Sequence, residues 1–82
     1  MQVTVITPDK KVFEGEVESA KFPGTDGSFQ VLQNHAPLIS TLGTGVLELR
    51  SSEGKTHNFT IDNGVVEVLN DQLTVLVESL LD

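Results

Sequence analysis

Turn-forming residues recur about every six to twelve positions along this chain, and their spacing strongly limits what it can fold into. Clusters of Gly, Pro, Asn and Asp separate short runs rich in Val, Thr and Ile, which favour strands. Gly, Asn and Asp also tolerate the positive φ of tight hairpin turns. The predicted strands are Gln2–Ile6, Val12–Glu18, Ser28–Leu32, Leu38–Thr41, Val46–Arg50, Thr56–Ile61, Val65–Val68 and Leu73–Glu78. The predicted turns between them include Pro23–Gly27, Gln33–His35, Asn63-Gly64 and Asn70-Asp71.

Within the predicted strands, hydrophobic residues alternate with polar ones. Leu47 and Leu49 share one face, and Glu48 and Arg50 share the other. This period of two, with one apolar face, is typical of an antiparallel sheet that packs on one side. No window of the sequence shows an apolar stripe at helical spacing. The sequence therefore predicts an all-β fold with essentially no helix.

One segment contains a conflict in this alternation. Phe13 and Val17 share one parity, whereas Ala20 and Phe22 share the other. A straight strand cannot bury both pairs on one face. A bulge or bend allows both pairs to be buried, as in strands that pass from one sheet of a sandwich to the other. We therefore predict a corner near residues 19–21 and a sandwich of two sheets.

The composition narrows the possible functions. The chain has 82 residues, which predicts a single domain over residues 1–82. Its formal net charge of −7 disfavours nucleic acid as a partner, because duplexes are bound mainly through basic patches. The sequence lacks cysteine, an apolar run of about 20 residues and the basic start of a signal peptide. We therefore expect a soluble protein without direct membrane insertion.

Few side chains suggest catalysis or metal binding. Glu14, Glu16 and Glu18 lie at a spacing of two, a pattern that fits a cation site or, more simply, the solvated face of an edge strand. His35 lies in a predicted loop, and His57 is expected at the rim of the core. The two histidines are far apart in sequence and lack a third ligand at a sensible spacing for zinc. The sequence thus predicts no catalytic residue, no metal site and no cofactor.

A second interpretation concerns Lys10. Lipoyl and biotinyl carrier domains are also small acidic β-sandwiches, and they display a modified lysine at a hairpin tip. The Asp9-Lys10 dipeptide fits that pattern, although the carrier lysine lies midway between two similar halves and Lys10 lies near the N terminus. An ordinary turn lysine is the simpler interpretation, and a carrier domain modified at Lys10 stays the alternative.

Three longer segments resemble one known family over nearly the whole chain. They read VTVITPDKKVFEGEVESAKFPGTDGSF, VLQNHAPLISTLGTGVLEL and DNGVVEVLNDQLTVLVES. The most specific parts are the run from His35 to Leu38 and the block from Asn63 to Val68, which match in order and spacing. On these residues the chain resembles the N-terminal domain of the epsilon subunit of F-type ATP synthases.

The resemblance implies a fold, a role and a set of contacts. The fold would be ten strands in two five-stranded sheets, without an active site. The role would be that of a central-stalk rotor subunit that packs on the gamma subunit, rests on the c-ring and supports the coupling of proton flow to ATP synthesis. Its place would be peripheral, on the cytoplasmic face of the bacterial inner membrane, and we expect the isolated domain to be monomeric. The residues that match the docking end are Ser28, Val31, Leu32, His35, Ala36, Pro37 and Leu38.

The chain departs from the family pattern in three places. Gln30, Gln33 and Asn34 stand where the family usually has Gly, Pro and Gly. Asn63 replaces the first Gly of a Gly-Gly pair, and Asn is enriched among non-glycine residues at positive φ. The sequence ends at Asp82, before the helical hairpin that carries regulatory roles in the family. We therefore expect no inhibitory brake from these 82 residues.

Overall fold

The alternating hydrophobic pattern produces an all-β structure. The computed structural model describes residues 1–81, and within that range it contains eight strands and no helix, which confirms the all-β prediction. The strands are β1 (Gln2–Ile6), β2 (Lys11–Glu16), β3 (Ser19–Gly24), β4 (Gly27–Leu32), β5 (Leu38–Leu42), β6 (Gly45–Arg50), β7 (Thr56–Leu69) and β8 (Gln72–Leu80).

The strands form one hydrogen-bonded path that folds over on itself. Its order is β2-β1-β8-β7-β5-β3-β4, and β6 joins it by pairing with both β3 and β7. The β1–β8 pair is parallel, and the other pairs are antiparallel. The expectation of ten strands in two five-stranded sheets is therefore wrong in its strand count, because the described residues form eight strands. The physical reason is that β7 continues through the fold without a break and carries the pairing from one part to the other.

Strand β7 corrects one predicted turn. Asn63 and Gly64 were expected to separate two strands, but they lie inside the 14-residue β7. Residues on both sides of them keep the same register with β8, from Ile61↔Leu80 to Leu69↔Gln72. Asn63 has a φ of 46°, which confirms the expected left-handed conformation at this position. That conformation kinks the strand here instead of reversing it.

Strand β3 was missed by the pattern analysis, and the predicted corner lies slightly earlier than expected. The chain leaves β2 after Glu16 and enters β3 at Ser19, so the corner falls at residues 17–18 instead of 19–21. There the Glu18 N–H donates to the carbonyl of Arg50 at 2.8 Å. After the corner, Ala20 and Phe22 point into the core. The change of parity is thus resolved as predicted, by a bend.

One hydrophobic core unites the folded sheet. The described residues that are buried are all hydrophobic, since no polar or charged residue among them is buried. Phe22 stacks on Phe29 with ring centroids 5.3 Å apart. The Phe13 ring of β2 packs against two rings of β7. Its centroid lies 5.0 Å from that of His57 and 6.0 Å from that of Phe59. The buried residues are Met1, Val3, Val5, Val17, Ala20, Phe22, Val31, Leu42, Leu47, Leu49, Ile61, Val66, Val68, Leu73, Val75 and Val77.

Candidate partner-binding surface

The loop between β4 and β5 displays most of the residues predicted to dock on partners. His35, Ala36 and Pro37 are exposed in this loop. Leu32, at the end of β4, is 54% exposed. Leu38 is half-buried where β5 begins. We call the stretch from Gln33 to Pro37 the docking loop.

Two hydrogen bonds shape the docking loop. Asn34 has a φ of 64°, a left-handed conformation that asparagine tolerates better than most residues. Its backbone N–H donates to Oδ1 of Asp71, in the β7–β8 turn, at 2.9 Å. The ring of His35 lies with Nδ1 2.7 Å from the carbonyl oxygen of Ala36. Because a carbonyl can only accept, Nδ1 carries a proton and donates this hydrogen bond, which leaves Nε2 available to a partner.

Two of the predicted docking residues lie apart from this loop. Val31 is fully buried and pairs with Ala20, so its side chain belongs to the core and is not accessible to a partner. Ser28 is exposed near the opposite end of β4. It lies four positions before Leu32, which is about 13 Å along a strand. The structure therefore brings Leu32 and His35–Leu38 together along one stretch of chain, but not Ser28.

The sequence analysis missed an apolar surface on the outside of the sheet. Ile39 is 71% exposed, Leu69 46% and Leu76 47%, and Val65 is half-buried beside them. Cross-strand pairing places Val65 next to Leu76, and Ile39 next to Glu67, which lies between Val65 and Leu69 on β7. We call Ile39, Val65, Leu69 and Leu76 the outer apolar face. The signal for it was in β8, where Leu76 stands on the opposite parity to the buried Val75 and Val77.

The docking loop and the outer apolar face are continuous. A shallow depression between them is lined by residues from the end of the loop and from β5 and β7. Its wall is mostly aliphatic, with one carboxylate from Glu67. A surface of this kind, exposed and apolar with a charged rim, is typical of a protein–protein contact. The lining residues are Pro37, Leu38, Ile39, Glu67, Val68 and Leu69.

The other candidate groups do not form a reactive centre. Glu14 lies on the edge strand β2, where its carboxylate accepts a 3.0 Å hydrogen bond from Lys11. Glu16 is on the same strand, whereas Glu18 lies outside it at the corner, so the predicted face of three glutamates is not formed. Lys10 is exposed in the β1–β2 turn, which is closed by the Thr7 N–H donating to its carbonyl at 2.9 Å. In residues 1–81, no three His, Asp or Glu side chains are arranged to hold a metal ion.

Comparison with known families assigns the fold. Residues 1–82 match the family described as the β-sandwich domain of the ATP synthase delta/epsilon chain. The chain belongs to this family. The family assignment covers the β-sandwich that the structure shows, and it gives no support to the carrier alternative at Lys10.

Individual relatives agree with the family. The ATP synthase epsilon chain of Leptospira borgpetersenii is 44% identical over 78 residues, which cover 95% of this chain and 61% of that relative. The chain therefore spans about three-fifths of the length of several such relatives. The ATP synthase epsilon chain of Chlorobium limicola is 37% identical, and there the match covers 96% of this chain and 90% of the relative.

Solved structures share the fold at low sequence identity. A chain in the Euglena gracilis mitochondrial ATP synthase superposes with a TM-score of 0.90 at 21% identity, covering 96% of this chain and 51% of that one. A chain in the central stalk and c-ring structure of the Tetrahymena thermophila enzyme gives a TM-score of 0.83 at 22% identity, covering 99% of this chain and 65% of that one.

Among residues 1–81 there is no helix that could span a membrane.

Proposed function

We propose that this domain is a non-catalytic part of the central stalk of a bacterial F-type ATP synthase, where it links the gamma subunit to the c-ring and supports coupling of proton flow to ATP synthesis. The observation that carries the proposal is the match of residues 1–82 to the delta/epsilon β-sandwich family. The apolar surface that continues from the docking loop is consistent with it. Its place would be peripheral, at the cytoplasmic face of the inner membrane.

The outer apolar face supports a protein partner. An aliphatic side chain that is buried on binding contributes about 1.5–3 kcal/mol relative to its exposed state. Ile39, Leu69 and Leu76 are each about half exposed or more, so a partner that covers them removes apolar surface from water. The adjoining docking loop adds hydrogen-bonding capacity through His35. We propose that gamma packs on the outer apolar face and that the c-ring contacts the docking loop.

A pair of matched substitutions tests the proposed face. Ile39 is 71% exposed on the outer apolar face, and Val46 is 52% exposed on β6, outside that face. Each is an exposed β-branched residue in a strand, so Ile39→Asp and Val46→Asp should both fold. Binding of tagged chain to purified gamma and c-ring from the same organism is then measured by surface plasmon resonance.

The expected result is a loss of at least about tenfold in affinity for Ile39→Asp, since burial of a carboxylate in place of an aliphatic group costs more than about 1.4 kcal/mol. The affinity of Val46→Asp should stay within about twofold. If both substitutions weaken binding equally, the outer apolar face is not the binding surface. Failure of the unsubstituted chain to bind gamma or the c-ring would reject the function itself.

A further inference from the structure

Asp71 connects two turns that are distant in sequence. It is the second residue of the Asn70-Asp71 turn between β7 and β8, and both residues have positive φ, 51° and 61°. Its Oδ1 accepts the Asn34 N–H at 2.9 Å, a contact between positions 37 residues apart. Its Oδ2 lies 3.9 Å from the amino group of Met1. The carboxylate thus faces the docking loop from one side and the first residue from the other.

The bond to Asn34 holds the docking loop at the residue just before His35. Asn34 is the loop residue in the left-handed region, immediately before His35. In this conformation its N–H is directed away from the loop and toward the β7–β8 turn, where the carboxylate receives it. Hydrogen bonds to an ionised acceptor are stronger than those between neutral groups. Asn34 therefore has a partner outside the loop that favours the observed backbone conformation, in which His35 and Pro37 are exposed.

We infer that Asp71 is a positioning residue for partner binding, which fixes the docking loop in its binding conformation through the Asn34 N–H. This inference rests on the proposed function, because it names a residue that acts through the proposed docking loop and does not itself touch the partner. A loop held in its binding conformation has a higher apparent affinity, since affinity scales with the populated fraction of that conformation. The partner is the c-ring, which is proposed above to contact the docking loop at His35 and Pro37.

Three substitutions separate the bond from the turn that carries it. Asp71→Gly removes the acceptor but suits the positive φ at this position, so the turn is kept. Asp71→Asn keeps an Oδ1 acceptor at the same place while it removes the charge toward Met1. Asn70→Gly is the matched control, because it changes the neighbouring positive-φ position of the same turn. All three substitutions are made in the 82-residue chain.

Two measurements are made on each variant: amide exchange at Asn34 by NMR, and the dissociation constant for gamma with the c-ring. For Asp71→Gly we expect about fivefold faster exchange and about fivefold weaker binding, the equivalent of one exposed hydrogen bond. Asp71→Asn replaces the charged acceptor by a neutral one, so both values should change less than in Asp71→Gly, whereas Asn70→Gly should stay within about twofold. Unchanged exchange in Asp71→Gly overturns the inference, as does faster exchange with unchanged binding. The inference is also overturned if Asp71→Asn weakens binding as much as Asp71→Gly does, because loss of the acceptor would then not explain the weaker binding.

His35→Ala distinguishes failure of this inference from failure of the proposed docking loop. If His35→Ala weakens binding and Asp71→Gly does not, the loop binds the partner but does not depend on Asp71. If the unsubstituted chain binds the partner and His35→Ala binds equally well, the docking loop is not the contact. The positioning role of Asp71 is then also wrong. The exchange rate at Asn34 reports on the bond itself in either case.

Discussion

Gly64 lies in β7 at a position where the backbone of β8 leaves no room for a side chain, so its replacement by alanine should be strongly destabilising. A Cβ built on Gly64 would lie 2.4 Å from the backbone oxygen of Leu76 and 3.1 Å from Cα of Val77. Close carbon–oxygen contacts in sheets are about 3.3 Å or longer, so β8 would have to move by about 0.9 Å. The obstacle is backbone, which cannot rotate away as a flexible side chain can.

The size of the effect follows from this overlap. Forcing an extra methyl group into a packed site costs about 1–3 kcal/mol, and the loss of one sheet hydrogen bond adds about 1 kcal/mol. We expect Gly64→Ala to lower the free energy of unfolding by about 3 kcal/mol. A domain of this size has about 4–12 kcal/mol in total. The expected fall in melting temperature is then about 12–24 °C.

Urea unfolding followed by far-UV circular dichroism measures this difference. Gly43→Ala is the matched control, because its added Cβ would lie 3.9 Å from the Pro23 oxygen and 4.0 Å from Cγ2 of Thr25, which are ordinary contacts. We expect the control to be neutral or slightly stabilising, since alanine restricts the unfolded chain. If Gly64→Ala unfolds at the same urea concentration as Gly43→Ala, the β7–β8 pair can separate locally and the steric reasoning is wrong.

Three further outcomes are expected. Phe22→Ala removes a buried ring stacked on Phe29 and should lower the free energy of unfolding, measured in urea, by about 3–5 kcal/mol. Leu76→Ala, at an exposed position, should lower it by about 0.5 kcal/mol or less, and similar values for both would contradict the core assignment. The association rate with gamma and the c-ring should fall as ionic strength rises, because the chain carries a net charge of −7, and a flat response in stopped-flow measurements would mean that apolar contacts dominate. Incubation with lipoyl or biotinyl ligase should leave the intact mass unchanged, whereas a mass gain on Lys10 would favour the carrier alternative.

Much of the fold could be predicted because period-two alternation is a local property. Leu47 and Leu49 in β6, and Leu73 and Val75 in β8, point inward as their spacing predicts. Each strand places successive side chains on opposite faces whatever its partners are, so one buried face is visible in the sequence. The all-β class and most strand positions followed from this. The candidate docking residues, in contrast, came from the family resemblance, and their contacts with a partner stay a prediction.

The sequence by itself determined that Asn63 would adopt a positive φ, but only the tertiary structure decided what that conformation does. The same dihedral angle occurs in a hairpin turn and in a kinked strand. At Asn70 and Asp71 the chain reverses, whereas at Asn63 it continues, because β8 pairs with β7 on both sides of the kink. The bond between Asn34 and Asp71 depends in the same way on elements far apart in sequence. Local conformation is encoded by neighbouring residues, while such pairings depend on how the whole sheet folds around its core.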